Sequence, residues 1–181
     1  MNFTPFPTIT TENLTLRAVE ESDWEIILFL RSDPTVTAFI HRPENRKTKN
    51  QADVLNFIRE RQEDLKQNTC IVWGIALKGE PDIIGTICLW NFSEKNTIAE
   101  IGYDLHPEFQ GKGIMSESLQ TVIHFGFKEL QLSKIEAYTH FENNRSIHLL
   151  EKHGFQHLKD RKDEGNEANR IFELKNSDWM R

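Results

Sequence analysis

Cysteine is scarce. Cys70 and Cys88 are the two in 181 residues, too few for a cysteine-rich metal site or a dense disulfide framework. Long apolar runs are missing as well: no stretch approaches the roughly 20 residues that a membrane-spanning helix needs. Met1 to Thr11 lacks the basic-then-apolar order of a secretory leader. These absences predict a cytoplasmic protein without membrane contact, whose cysteines stay reduced. A positive surplus is also lacking, since 28 acidic side chains face 22 Lys plus Arg for a net charge of -6. That excludes nucleic-acid binding through phosphate neutralisation and leans toward cationic substrates. The seven histidines provide no pair four apart on one helix, because Gly154 separates His153 from His157. No metal site is expected.

A core, by contrast, is well supplied. Hydrophobic residues make up 38% of the chain, and 12 Phe and 4 Trp are spread along it, as one globular domain over residues 1–181 requires. Neither a repeat nor a long linker divides it. Leu14 to Arg17 alternates like an opening strand. Ser22-Asp23-Trp24-Glu25 reads as a capping box for a helix that ends before Pro34. Val54, Leu55, Ile58 and Leu65 mark a second amphipathic helix. Cys70–Leu77 and Ile83–Phe92 flank a turn at Lys78–Asp82 and predict a hairpin, which Ile98–Leu105 extends to a three-stranded meander. With Leu77 opposite Ile83, Cys88 falls opposite Val72 and Cys70 opposite Trp90, so the thiols lie diagonally and no disulfide is expected.

After His106-Pro107 a glycine-bearing loop leads into a long helix with Met115, Leu119, Val122, Ile123, Gly126 and Leu130 on one stripe. A strand over Lys134–Thr139 follows, then a short helix from Asn143 that Gly154 stops. Strands at Gln156–Lys159 and Arg170–Lys175 close the chain. The order predicts a mixed α/β fold of the α+β type, with helices on both faces of a central sheet.

The segment Gln110-Gly111-Lys112-Gly113-Ile114-Met115 stands just before the long helix. Its glycines let backbone approach a ligand. The unpaired N–H groups of the first helical turn and Lys112 suit a phosphate or pyrophosphate; an ordinary glycine turn is the plain alternative. The spacing fits neither a Walker loop nor a dinucleotide fingerprint.

Ala99-Glu100-Ile101-Gly102-Tyr103, Leu105-His106-Pro107-Glu108-Phe109-Gln110-Gly111-Lys112-Gly113, Glu142-Asn143-Asn144-Arg145-Ser146 and Glu151-Lys152-His153-Gly154-Phe155 occur in that order. Together they resemble the GNAT superfamily of acetyl-CoA-dependent N-acetyltransferases, and within it the ribosomal-protein-alanine N-acetyltransferase branch. The similarity takes in Leu14 to Arg17 and Asp178-Trp179, nearly the whole chain. It implies a mostly antiparallel twisted sheet in which the fourth and fifth predicted strands splay apart. It also implies acetyl-CoA as cosubstrate, with no metal, and binding through Leu105, His106, Gln110, Gly111, Lys112, Gly113, Ile114, Met115 and Asn143. Met115 departs from the small residue of the family motif, so its side chain must point into the core while its amide stays available.

The reaction so implied is direct attack of a neutral amine on a thioester. It needs a proton acceptor, N–H donors for the oxyanion and a proton source for the thiolate. Glu100 matches the family's base, and a backbone N–H near Leu105 the oxyanion donor. The tyrosine that many relatives use as acid is replaced by Leu150, and Ser146 takes that role in the ribosomal-protein branch. An exposed strand carboxylate at Glu100 and simple helix capping at Ser146 and Asn143 remain the alternatives. Trp24, Phe39, His41, Trp73, Trp90 and Phe92 are expected mostly in the core, with an acceptor-pocket lining as the alternative, and Arg42 to Lys49 as a solvated basic loop, with steering of an acidic partner as its alternative. The leading acceptor is a protein N-terminal α-amine. A small amine is the second, and a silent acyl-CoA-binding module is a third reading of another class. Monomer and homodimer both stay open.

Overall fold

Alternating apolar residues make the strands, and where the alternation faces determines which helices cover them. The computed structural model describes residues 2–179; Met1, Met180 and Arg181 lie outside the described residues. In chain order the elements are β1 (Ile9–Thr10), β2 (Leu14–Ala18), α1 (Trp24–Ser32), α2 (Pro34–Thr37), α3 (Gln51–Lys66), β3 (Ile71–Leu77), β4 (Ile83–Trp90) and β5 (Ile98–Leu105). There follow α4 (Ile114–Lys128), β6 (Lys134–His140), α5 (Asn144–Lys152), β7 (Gln156–His157), β8 (Asn169–Lys175) and α6 (Asn176–Trp179). One eight-stranded sheet runs β1-β2-β3-β4-β5-β6-β8-β7. Its neighbours are antiparallel except β5 and β6, which are parallel and joined across α4.

The two faces are covered by different helices. Ile71, Trp73, Ile75, Ile87, Leu89, Ala99 and Ile101 share one buried cluster with Leu119, Val122, Ile123 and Phe127 of α4 and Leu150 of α5. Trp73 meets Phe125 edge-on at 5.3 Å. On the opposite face Ala76 and Ile83 pack with Ile27 of α1 and Val54 and Ile58 of α3. Each such Val, Leu, Ile or Phe side chain stabilises the fold by about 1.5–3 kcal/mol on burial. The expected mixed fold with helices on both faces is what the chain adopts.

Differences from the sequence reading have local causes. Cys88 is opposite Val72 as expected, but the hairpin slips by one residue between Ile75 and Ala76, so that Ala76 and not Leu77 faces Ile83. Both cysteines are free. The capping box lies two residues earlier than Ser22. Asp23 accepts from the Glu20 N–H at 2.8 Å while also holding Arg17 at 2.8 Å, and a 3-10 turn precedes α1. The helix does stop before Pro34, but Asp33 then caps α2, with Pro34 supplying a ready-made first helical φ. The strand expected at Gln156–Lys159 spans two residues, and Leu130 falls beyond the end of α4.

The feature that positions a site is the β5–β6 pairing. It runs only from Ile98↔Lys134 to Glu100↔Glu136. Beyond it β5 stays paired with β4 as far as Leu105↔Gly85, and β6 with β8 as far as His140↔Asn169. The strands therefore part after Glu100, as the resemblance implied.

Candidate active site

The gap between β5 and β6 is edged by main chain. His106 N–H bonds to Ile84 O at 2.9 Å, and Ser93 N–H to Ile98 O at 3.0 Å, so even-numbered residues of β5 turn their backbone groups to β4. Odd-numbered ones turn theirs to β6. Past Glu100 no strand stands opposite Tyr103 and Leu105, whose gap-side amides are thus open to a ligand chain. The Leu105 carbonyl accepts from Gln110 Nε2 at 3.0 Å, and Gln110 Oε1 accepts from Arg145 at 2.6 Å. Gln110 thereby braces the loop against both β5 and α5. His106 is turned away from the gap by its Ile84 bond, and its ring stacks on Phe29 at 4.5 Å.

At the open end of the gap, Gly111 and Gly113 have φ of 75° and 82°, the left-handed region that favours glycine. A Cβ at either would meet nothing within 4 Å, so the loop borders open space. Gly113 is the N-cap of α4 and brings no side chain to it. The first backbone bond of the helix runs from Glu117 N–H to Gly113 O at 3.0 Å, which leaves the amides of Ile114, Met115 and Ser116 without an acceptor inside the helix. Ile114 is buried and Met115 packs at the edge of the main core, so neither side chain blocks those amides. Exposed Lys112 stands 5.4 Å from the Phe109 ring. This exposed turn, with free helix-end amides and Lys112 beside them, suits a diphosphate. Nearby, Asn143 caps α5 by accepting from Ser146 N–H at 3.2 Å, and its amide nitrogen remains for other partners.

Side-chain alternation puts Glu100 on the face of β5 away from α4. Asn91 donates to its Oε2 at 3.3 Å. Its carboxyl is pushed up to about 7, first by burial and then by the charges of Asp163 and Glu136, while the Asn91 bond and Arg161 work the other way. Beside it, Glu136 is gripped by Arg161 at 2.6 Å and Lys134 at 2.7 Å, which hold it low despite burial. Arg161 also donates to the Tyr138 hydroxyl at 2.9 Å. On the same face, burial raises the Asp104 carboxyl, although Thr86 donates to it from its hydroxyl at 2.7 Å and its amide at 3.1 Å.

On the other face, Ile101 and Leu105 enter the core under α4, and Tyr103 between them reaches toward α5. Its hydroxyl lies 2.9 Å from Ser146 Oγ. Burial pushes the phenol up to about 12, opposed by that bond. Leu150, one turn after Ser146, is fully buried. Tyr103 is a functional candidate that the sequence motifs alone do not mark out. Its offset of three from Glu100 was the available signal, because an odd offset on a strand means the opposite face.

The aromatic expectation holds for Trp73, which is buried, and for the half-buried Trp24 and Phe92; Phe39 and Trp90 are instead exposed, as is His41. Arg46, Lys47 and Lys49 are exposed and paired with Glu60 or Glu44. Arg42 is half-buried. Among the described residues no group of His, Cys, Asp and Glu could hold a metal ion, and no helix is long and apolar enough to cross a membrane.

Known proteins resemble this chain in sequence and fold. Residues 13–156 match the acetyltransferase (GNAT) domain family. The uncharacterized N-acetyltransferase p20 of Bacillus licheniformis is 35% identical over 149 residues, 82% of each chain. The ribosomal-protein-serine acetyltransferase of Escherichia coli is 33% identical over 76 residues, 42% of each chain. A crystal structure of a GNAT-family acetyltransferase from Bacillus anthracis superposes with a TM-score of 0.76 at 26% identity, covering 94% of this chain and 99% of that one. With the parted strands, the glycine loop at the start of α4 and the family match in agreement, the chain belongs to the GNAT family and is an acetyl-CoA-dependent N-acetyltransferase.

Proposed function

We propose that this acetyltransferase, acting as a single domain in a reducing cytoplasm, acetylates the N-terminal α-amine of a protein, a ribosomal protein being the leading class. The observation that carries the reading is the Glu100 carboxyl, raised to about 7 at the point where β5 and β6 part. A base near 7 matches an amine whose own pKa is near 8. At pH 7.5 about a quarter of such amines are neutral, against about one in a thousand for a lysine-like amine near 10.4. The partial similarity to the ribosomal-protein-serine acetyltransferase supports a ribosomal protein as acceptor, while a spermidine N(1)-acetyltransferase of Escherichia coli, 31% identical over 39% of this chain, makes spermidine the competitor to test.

Roles follow from the two faces of β5. Glu100 takes the proton of the attacking amine, directly or through water. The amides of Gly111 to Met115, with Lys112, hold the diphosphate of the cosubstrate. Leu105 N–H and Asn143 hold its pantetheine arm and the developing oxyanion. Ser146 gives a hydrogen bond to the departing sulfur. Acetyl-CoA supplies an activated acyl carbon, and the chain supplies position and proton traffic.

The experiment is a panel of acceptors followed by free-thiol release and product mass. It contains peptides with a free N-terminus, the same peptides Nα-blocked but carrying lysine, and spermidine. Acetylation of the free α-amines with blocked peptides inert is the expected result. Turnover confined to spermidine or other small amines overturns the acceptor.

A further inference from the structure

Leu150 supplies no hydroxyl to the gap, but a phenol arrives there from another element. Tyr103 leaves β5 toward α5 and ends 2.9 Å from Ser146 Oγ. Two hydroxyls carry two hydrogens, and the bond between them uses one. Among the described residues neither oxygen has a second partner, since the Asn143 cap is occupied by the Ser146 backbone N–H and not its hydroxyl. One hydrogen is therefore left over, half-buried beside the parted strands, free to be given to water or to a ligand atom that enters the gap.

We propose that Tyr103 is a positioning residue for the reaction: its phenol donates to Ser146 Oγ and so turns the remaining Ser146 hydrogen into the gap, toward the departing sulfur. This rests on the reading that Ser146 faces that sulfur. Hydroxyl chemistry supports the direction of donation, because a phenol is the stronger acid and better donor and an aliphatic hydroxyl the better acceptor, and burial keeps the phenol protonated across the working pH range. The same burial means that Tyr103 does not surrender its proton to a thiolate, whose ordinary pKa is near 8.5. As the acyl–sulfur bond breaks, its electron pair passes to sulfur and is met by the Ser146 hydrogen bond. The nitrogen's proton goes to Glu100 and then to water. A proton from water neutralises the thiolate, so the balance closes with both hydroxyls intact.

The test uses Y103F, S146A and the double variant in the full chain. Phenylalanine keeps the ring that packs in the core, so melting temperature and CoA affinity by calorimetry should match the parent chain. With CoA bound, thiolate absorbance should show the thiol deprotonating at higher pH in Y103F and S146A than in the parent, by about half to one pH unit. In turnover, Y103F should lower kcat about three- to tenfold with KM for acetyl-CoA unchanged, and should lower nothing further in the S146A background. Losses that add in the double variant, or a Y103F thiol titration equal to the parent's, overturn the proposal. If the parent chain acetylates no amine, the functional reading falls on that ground, and the thiol titration still decides whether Tyr103 polarises Ser146.

Discussion

Replacing Glu100 with Gln should make the protein slower and more stable at once, and both effects can be sized. The folded state holds this carboxyl at about 7 against an ordinary 4.5, a difference of about 3 kcal/mol. The sign follows from linkage. A carboxyl raised on folding binds its proton more tightly in the native state, so its cost is absent below about pH 4.5 and complete above about pH 7. Glutamine keeps the shape and the acceptor for Asn91 Nδ2 but never ionises. E100Q should therefore match the parent in stability near pH 4.5 and exceed it near pH 8. The upper limit is about 3 kcal/mol, or about 6–12 °C for a chain of this length. The same substitution removes the proposed proton acceptor, a role worth about 10²–10⁴ in rate. The acid limb of kcat/KM, expected near pH 7 in the parent, should vanish. Thermal melts at the two pH values and a pH–rate profile together check the argument. A parent-like profile in E100Q refutes Glu100 as base. Equal stability at pH 8 refutes the buried, charge-crowded environment from which its pKa follows.

Arg161 offsets part of that crowding, so R161A should move the acid limb to higher pH, while Lys134 keeps Glu136 ionised. An unmoved limb would show that the β7–β8 loop does not act on Glu100. Gly113→Ala adds no clash, since a Cβ there meets nothing within 4 Å, but strains a residue at φ 82° by about 1–2 kcal/mol and intrudes on the proposed diphosphate site. Calorimetry should show weaker CoA binding, while binding equal to the parent's would move the diphosphate elsewhere.

What could be read beforehand was whatever depends on near neighbours in the chain. The meander was legible because β3, β4 and β5 alternate and are joined by short turns. The α4 start was legible because Gly111 and Gly113 announce a turn. Glu100 could be placed on its strand, and the family resemblance pointed to a parting there. Its pKa could not be foreseen, because its burial is set by the tertiary fold, Glu136 reaches it through the β5–β6 pairing, and Asp163 and Arg161 come from the loop between β7 and β8. The Tyr103–Ser146 contact spans 43 residues and crosses from strand to helix, so no local pattern contains it. The one-residue slip at Ile75 also escaped, since both registers keep apolar side chains in apolar surroundings. Gln110 shows the converse: its motif position was clear, yet its side chain is spent on Leu105 and Arg145 within the chain.

The parting of β5 from β6 carries a cost that a ligand can recover. Each strand is paired on its other side, six residue pairs between β5 and β4 and seven between β6 and β8, so the sheet holds without closing the gap. What is given up is ladder bonding at Tyr103 and Leu105, each bond worth about 0.5–1.5 kcal/mol net. Zipping the strands closed would regain those bonds, but it would bury the amides and separate Glu100 on one face from Tyr103 and Ser146 on the other. A ligand that pairs with β5 as an added strand restores the bonds without closing the faces. Amide hydrogen exchange distinguishes this from binding at the glycine loop alone. ADP, which has the diphosphate but no pantetheine, should slow exchange only in the segment from Gly111 to Ser116. CoA should in addition slow it at Tyr103 and Leu105. Equal protection by the two ligands would mean that the gap takes no part in gripping the cosubstrate, and that the strands part for another reason.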